Sequence, residues 1–178
     1  MGFGEPLSVT TPSDTEIEIV RRFEAPPHLV YACYTQPSLI RRWLTGPDGW
    51  TMPVCTYDAR PGGNYRFEWR GPGEETLALS GDISAIEAIR HIDAQELFDD
   101  GVMGPAYRSV LDFDLDGHGT RVTNRFTYAS LAHREMVAAT GMAEGMEMSF
   151  KSLDRLLAAE QKQALPASSV SSSPARKP

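Results

Sequence analysis

The sequence has no excess of basic residues: 17 Lys and Arg stand against 24 Asp and Glu, and the formal net charge at pH 7 is −7. A negative field repels phosphate backbones at long range, and the sequence shows no basic stripe with interleaved aromatic residues that would overcome this repulsion. Nucleic acid is therefore not expected as a partner.

Cysteine is also scarce, since Cys33 and Cys55 are the two in the chain and no CxxC pair occurs. The histidines are scattered, so no zinc-ligand spacing is present, and we expect neither a metal site nor another cofactor. Both thiols are expected in the core. The chain contains no GxSxG motif, so no nucleophile is assigned and no catalytic residue is named.

Long hydrophobic runs are missing as well. No window approaches the roughly 18 apolar residues of a membrane-spanning helix, and the first 14 residues lack a basic start followed by an apolar stretch. We therefore expect no membrane span and no secretion signal. The cytoplasm is the expected location.

What is present is an ordinary globular mixture, with 41% hydrophobic and 23% charged residues. Residues 1–13 are rich in Gly, Pro, Ser and Thr and predict a flexible leader. Residues 161–178 form a low-complexity segment with few apolar groups, which predicts a disordered tail. One domain is expected between them, over residues 14–160.

Strict alternation over residues 16–23 predicts a first strand with Ile17, Ile19 and Phe23 on its buried face. Arg21 shares that phase. Prolines then open two short helices, over residues 27–34 and 37–44. Further strands are predicted from Met52 onward, with a type II turn at residues 60–63 and a bulge between residues 84 and 89. The remaining strands are expected at residues 65–70, 76–88, 92–98, 107–115 and 120–128.

After Ser130 the apolar period becomes helical. Met142, Met146 and Phe150 begin a stripe that predicts one long amphipathic helix, with a break near Gly141. The order of elements predicts an α+β fold. In it, a curved antiparallel sheet of six or seven strands wraps around the C-terminal helix, with two short helices after the first strand.

Four segments carry a resemblance to a known family: residues 21–26, the segment around Trp43, residues 58–63, and residues 141–146 leading to 152–156. In this order they resemble the SRPBCC (START/Bet v allergen-like) superfamily, in its branch related to the activator of 90 kDa heat-shock protein ATPase. The similarity spans roughly residues 15–160. It implies a helix-grip (START-like) fold with a hydrophobic cavity between sheet and helix, which binds apolar small molecules in many members.

A cavity of that kind would be walled by inward-facing residues of the sheet and the helices, unless these side chains simply fill the core. The wall residues expected to bind ligand are Trp43, Tyr65, Phe67, Trp69, Ser109, Leu111, Phe113, Asn124, Phe126, Met142, Met146 and Phe150.

Two charged residues are candidate polar anchors for a ligand. Arg21 lies in the apolar phase of its strand, and Glu147 lies near the helix stripe. A buried polar group implies a partner. We favour a simpler interpretation for each: Arg21 pairs with a carboxylate at the rim of the sheet, and Glu147 is a solvated flank residue.

Three functions remain open at this stage. The first is a binding domain for a hydrophobic or amphipathic small molecule. The second is a module that contacts a heat-shock protein ATPase, as the branch name suggests. The third is a cyclase-like or hydrolase-like enzyme that uses a few polar groups of the cavity, although the missing catalytic signature favours a non-enzyme. A homodimer is compatible with the apolar residues near the short helices.

Overall fold

The computed structural model describes residues 5–99 and 104–164 of the chain. Within these ranges the elements follow the predicted order. They are β1 Ser8–Thr10, β2 Glu16–Phe23, α1 Pro27–Thr35, α2 Pro37–Trp43, β3 Thr51–Tyr57, β4 Asn64–Arg70, β5 Thr76–Glu87, β6 His91–Asp99, β7 Tyr107–Asp116, β8 Gly119–Thr127, α3 Leu131–Ala138 and α4 Met142–Ala164.

The strands form one open antiparallel sheet in the order β1-β2-β8-β7-β6-β5-β4-β3. The long helix α4 contacts α1, α2 and α3, and Phe150 on it packs edge-to-face against Phe23 of β2 at 5.5 Å between ring centroids. This is the predicted α+β helix-grip arrangement. The predicted number of six or seven strands is corrected to eight for the described residues.

The additional strand lies in the segment that the sequence assigned to a flexible leader. Ser8–Thr10 pair with β2, with Val9 opposite Ile19, although all three residues of the strand are exposed. The backbone of a neighbouring strand supplies the pairing, so an apolar pattern is not needed. At the other end, α4 continues past residue 160 to Ala164. Residues 165–178 of the predicted tail lie outside the described residues.

The alternation in β2 is confirmed, because every second residue is buried, and Arg21 is buried together with Ile17, Ile19 and Phe23. In the β3–β4 turn, Gly62 adopts φ 73° and the Gly63 amide donates to the Arg60 carbonyl at 2.9 Å. Both are features of the predicted type II turn.

The predicted bulge is also present. The register between β5 and β6 shifts between Ile83 and Ala85, at the start of the stretch where the apolar phase changes. Ile83 is therefore buried before the shift. After the shift, the alternation between inward-facing and outward-facing residues restarts in a different phase.

Each of the two short helices begins at a proline, Pro27 and Pro37. The break before α4 falls at Gly141, whose φ of 79° suits glycine alone without strain. The buried face of α4 belongs to its later turns, at Phe150, Leu153, Leu156 and Leu157. The turns of α4 before Phe150 therefore do not belong to its buried face and are available to line a site. None of the helices in the described residues combines the length and the hydropathy of a membrane span.

Candidate functional site

A cavity of about 550 Å³ lies between the inner face of the sheet and the helices α2 and α4. Its walls are mostly aromatic and aliphatic. The described lining residues are Tyr34, Ile40, Trp43, Leu44, Gly46, Pro47, Trp50, Tyr57, Tyr65, Phe67, Trp69, Leu77, Leu79, Glu96, Phe98, Tyr107, Leu111, Asn124, Phe126, Thr140, Gly141, Met142, Gly145, Met146, Ser149 and Phe150. A volume of this size suits a small organic ligand.

The cavity meets the solvent where the loop after α2 faces the start of α4. Gly46 and Pro47 of the loop and Gly141 and Gly145 of the helix region are exposed lining residues. No heavy atom lies within 4 Å of where a Cβ on Gly145 would stand. Small residues therefore keep the entrance open.

All three tryptophans of the chain, Trp43, Trp50 and Trp69, line the cavity. The Trp43 indole N–H donates to the Cys33 carbonyl at 2.8 Å, and that of Trp69 donates to the Leu44 carbonyl at 2.7 Å. The indole donors are thus used inside the protein. Tryptophan fluorescence consequently reports on the cavity walls.

The main polar group of the cavity is Glu96, which is 7% exposed. In β6 it belongs to the inward phase that also contains Ile92, Ala94 and Phe98. The register places Gly81 of β5 on one side of it and Tyr107 of β7 on the other. A carboxyl group at this position is surrounded by apolar and aromatic walls.

Tyr65 reaches Glu96 from two strands away, because its neighbour in register is Gly81. A Cβ on Gly81 would stand 2.0 Å from Cζ of Tyr65, so only glycine leaves room for the ring to cross β5. The Tyr65 hydroxyl then donates to Glu96 Oε1 at 2.5 Å. Tyr57 stacks on the ring at 4.8 Å and holds it in place.

Glu96 also accepts hydrogen bonds from the hydroxyls of Tyr107 and Ser109. Burial raises the pKa of Glu96 above its usual 4.5, and the three hydroxyl donors lower it in part. Burial likewise raises the pKa of Tyr65, with the nearby Glu96 charge acting in the same direction. The network therefore holds a desolvated carboxyl with hydroxyl donors and no neighbouring cation in the described cavity lining.

Asn124 extends this network. The Ser109 hydroxyl lies 3.2 Å from the Asn124 side-chain oxygen, and Asn124 lines the cavity on β8. A hydroxyl has one proton to donate. Because Ser109 donates to Glu96, it can serve both neighbours only if the Asn124 amide turns its nitrogen towards the Ser109 oxygen.

Tyr34 presents a second polar feature, from α1. It lines the cavity, and its buried hydroxyl has no hydrogen-bond partner. Burial raises the pKa of this phenol, so it stays protonated. An unpaired buried hydroxyl costs about 1–3 kcal/mol, which a ligand oxygen or nitrogen would recover.

Most of the predicted wall residues line this cavity, and their binding of a ligand stays a prediction. Ser109 and Phe113 do not line it. Ser109 is buried behind the wall, where it contacts Glu96 and Asn124. Phe113 packs instead against the rings of Tyr31 and Tyr34.

The two candidate anchors, Arg21 and Glu147, are not among the described lining residues of the cavity. Arg21 Nη2 donates to Asp154 Oδ2 at 2.6 Å, as the rim-carboxylate interpretation predicts. Glu147 is half-buried, with a carboxylate oxygen 3.7 Å from Arg21 Nε, and it accepts from the Leu7 amide at 3.3 Å. Both side chains thus tie α4 to the sheet.

Sequence reasoning missed Glu96, Tyr34 and Tyr107. For Glu96 the signal was present, because the alternation of Ile92, Ala94 and Phe98 places it on their face. Among the described residues no group of three or more His, Cys, Asp or Glu could hold a metal ion. Cys33 and Cys55 are both buried and free, as expected for core thiols.

Comparison with known proteins places this arrangement in a family. A family model described as activator of Hsp90 ATPase homolog 1-like protein matches residues 24–158. A crystal structure of a Rhodobacter sphaeroides protein is 32% identical, with a TM-score of 0.82 over 87% of this chain and 99% of that one.

Two further solved structures are similar. Protein Ms6760 from Mycobacterium smegmatis is 28% identical, with a TM-score of 0.74 over 85% of this chain and 97% of that one. Protein NE0264 from Nitrosomonas europaea is 21% identical, with a TM-score of 0.73 over 85% and 99%, and supports the fold alone. No curated protein matches.

Proposed function

The chain belongs to the family of activator of Hsp90 ATPase homolog 1-like proteins, and from that premise we propose that it binds an apolar or amphipathic small molecule in the cavity. One observation carries the proposal: α4 leaves about 550 Å³ between itself and the sheet. An apolar space of this size loses the dispersion contacts that a filled core would have. A ligand restores those contacts.

The lining supports an elongated or ring-containing ligand. Aromatic rings from β4 and β6 form one wall, where Trp69 stacks with Phe98 at 6.3 Å. Met142 and Met146 form part of the opposite wall, and thioether side chains adapt to different shapes. The walls thus offer broad apolar contact with few directional constraints.

The direct test is native mass spectrometry of freshly purified protein, followed by titration with Nile red, a neutral probe of apolar sites. Saturable binding at one site per chain is expected. Gly145→Phe places a ring at the open entrance and should weaken binding by about tenfold or more, while Met148→Phe, at a 58%-exposed position of the same helix, should leave it unchanged. Failure of Nile red and of any co-purifying molecule to bind would contradict the proposal.

A second candidate, a cyclase-like or hydrolase-like enzyme, is favoured by Glu96. A carboxyl group whose pKa is raised by burial inside an apolar cavity is a candidate for proton transfer to or from a bound substrate. Any turnover found with a bound substrate should be lost in Glu96→Gln. Turnover that survives this substitution would exclude Glu96 from the chemistry.

The family description also keeps the chaperone alternative as a prediction. It is tested by measuring ATP hydrolysis of a heat-shock protein of the 90 kDa class with and without this protein, where stimulation would favour activator function. Homodimer formation and cytoplasmic location likewise stay predictions.

A further inference from the structure

The described lining of the cavity carries charge of one sign only. Among the lining residues in ranges 5–99 and 104–164, Glu96 is the only one with a carboxylate, and none is Lys, Arg or His. The guanidinium of Arg21 is buried, but it pairs with Asp154 and does not line the cavity. A ligand therefore meets an acidic group without any compensating cation.

The hydrogen bonding of Glu96 leaves a place for a ligand. A carboxylate offers about four acceptor positions on its two oxygens. Tyr65, Tyr107 and Ser109 use three of them. The carboxyl also lines the cavity, so an additional donor can approach from the cavity side.

We propose that the cavity selects an uncharged or cationic amphipathic ligand whose polar end, a hydroxyl or an amine, donates a hydrogen bond to Glu96, and that it rejects ligands with an anionic end. This inference rests on the proposed function, small-molecule binding in the cavity. It adds the chemical class of the ligand.

Electrostatics separates the three classes of polar end. An alcohol supplies the missing donor without a change in charge. An ammonium group supplies it and pairs with the carboxylate in a site where water does not screen the attraction. A carboxylate end brings a second negative charge next to Glu96, so one of the two must take up a proton or both remain repelled.

Tyr34 provides a second contact point that suits the same class. Its unpaired hydroxyl can donate to an ether or carbonyl oxygen, or accept from a second ligand hydroxyl. A ligand with an apolar body and one or two neutral polar groups satisfies both Tyr34 and Glu96. A charged acid end could accept from Tyr34, but it has no proton to donate to Glu96 and adds a second negative charge beside it.

The test uses three probes that differ only at the polar end: dodecanol, dodecylamine and dodecanoate, each below its micelle concentration at pH 7.5. Binding to the full chain is followed by the fluorescence of Trp43, Trp50 and Trp69, all of which line the cavity. Dodecanol and dodecylamine should each bind about tenfold or more tightly than dodecanoate, the cost of one unfavourable charged contact.

Glu96→Gln tests the residue itself. The amide of glutamine can donate as well as accept, so dodecanoate should bind more tightly and dodecylamine less tightly, and the tenfold gap should close to about threefold or less. Glu144→Gln, which removes an exposed carboxylate near the entrance, is the matched control and should keep the wild-type order. Circular dichroism of each variant shows that it is folded.

The outcomes separate this inference from the proposed function. If none of the three probes nor Nile red binds the wild-type protein, small-molecule binding itself fails. If dodecanoate binds as tightly as dodecanol, binding stands and the ligand class is overturned, a result that needs no variant. If Glu96→Gln keeps the tenfold gap between dodecanoate and the other two probes, the role of Glu96 is overturned.

Discussion

Replacing Arg21 by methionine tests how α4 is held against the sheet. Arg21 is 2% exposed. Its guanidinium donates to Asp154 at 2.6 Å and to the Arg22 carbonyl at 2.8 Å, and it lies 3.7 Å from a Glu147 oxygen. Methionine retains the apolar stem of the side chain. The substitution therefore removes the charge and leaves Asp154, whose side chain is 7% exposed, without its partner.

Breaking a buried ion pair from one side costs about 3–5 kcal/mol, because the remaining charge stays desolvated. For a domain of this size, 1 kcal/mol shifts Tm by about 2–4 °C, so Arg21→Met should lower Tm by about 6–20 °C. The domain should still fold, since a typical free energy of unfolding is about 5–15 kcal/mol.

The stability lost in Arg21→Met should depend on pH, and the structure determines the direction of this dependence. Burial raises the pKa of Asp154, and Arg21 partly opposes that rise. Without Arg21 the pKa in the folded protein rises further above its value in the unfolded chain. A carboxyl group whose pKa is higher in the folded protein than in the unfolded chain stabilises the fold at a pH below its pKa in the unfolded chain. This stabilisation is lost as the pH rises through the pKa in the folded protein. Arg21→Met should thus lose more at pH 7.5 than at pH 5.

Urea unfolding followed by far-UV circular dichroism at the two pH values measures both effects. Arg108→Met is the control, because Arg108 is 53% exposed in its pair with Asp93, and such a pair contributes at most about 1 kcal/mol. Arg21→Met/Asp154→Leu should recover most of the loss by removing the orphaned charge. The reasoning is refuted if Arg21→Met loses no more than Arg108→Met, or loses the same amount at both pH values.

Four further predictions concern single residues. Because burial raises the pKa of Glu96 above 4.5, Glu96 should make the wild-type protein less stable as the pH rises through that raised value; in urea unfolding at pH 4.5–8, Glu96→Gln should show a smaller fall in stability than the wild type. Gly81→Ala should cost about 1–3 kcal/mol in the same assay, since its Cβ would displace the Tyr65 ring; an unchanged midpoint would contradict that contact. Tyr34→Phe should stabilise the ligand-free protein by about 1 kcal/mol by removing an unpaired hydroxyl, and a loss instead would show that the hydroxyl has a partner. Burial raises the pKa of Cys33 to about 12, so this thiol should react with a disulfide reagent at pH 8 only after unfolding, and rapid reaction in the native protein would count against its burial.

The features that the sequence predicts well are local ones. A two-residue period is sufficient to place Ile17, Ile19 and Phe23 on one face. The turn at Gly62 and the break at Gly141 follow from the positive φ that glycine accepts. Each of these depends on a few neighbouring residues, so no knowledge of the rest of the chain is needed.

Strand Ser8–Thr10 could not be predicted in the same way. Its residues are exposed and show no apolar pattern, and it exists because β2 offers free backbone groups along its edge. Such pairing is a property of the neighbour. A pattern search within the segment itself has nothing to detect.

The candidate site illustrates the same limit. The strand phase indicates that Arg21 and Asn124 face inward, and it would have indicated Glu96 as well. The phase of a strand does not determine which groups an inward-facing side chain contacts. Tyr65 and Tyr107 approach Glu96 from different strands, and Arg21 meets a carboxylate on α4 instead of a ligand; both depend on register and on how the helix lies across the sheet.

Helix α4 separates stability from binding along its own length. Its later turns carry the buried residues Leu153 and Leu157 and the partner of Arg21, so the core and the buried ion pair hold that half in place. Its first turns, with Gly145 and Met146, border the cavity and are only partly buried or exposed. Because the fixed half positions the helix, the first turns can present a loosely packed wall and a glycine, Gly145, that would weaken an unsupported helix. Substitutions at Met146 should accordingly change ligand affinity more than they change the free energy of unfolding, whereas those at Leu153 should do the reverse.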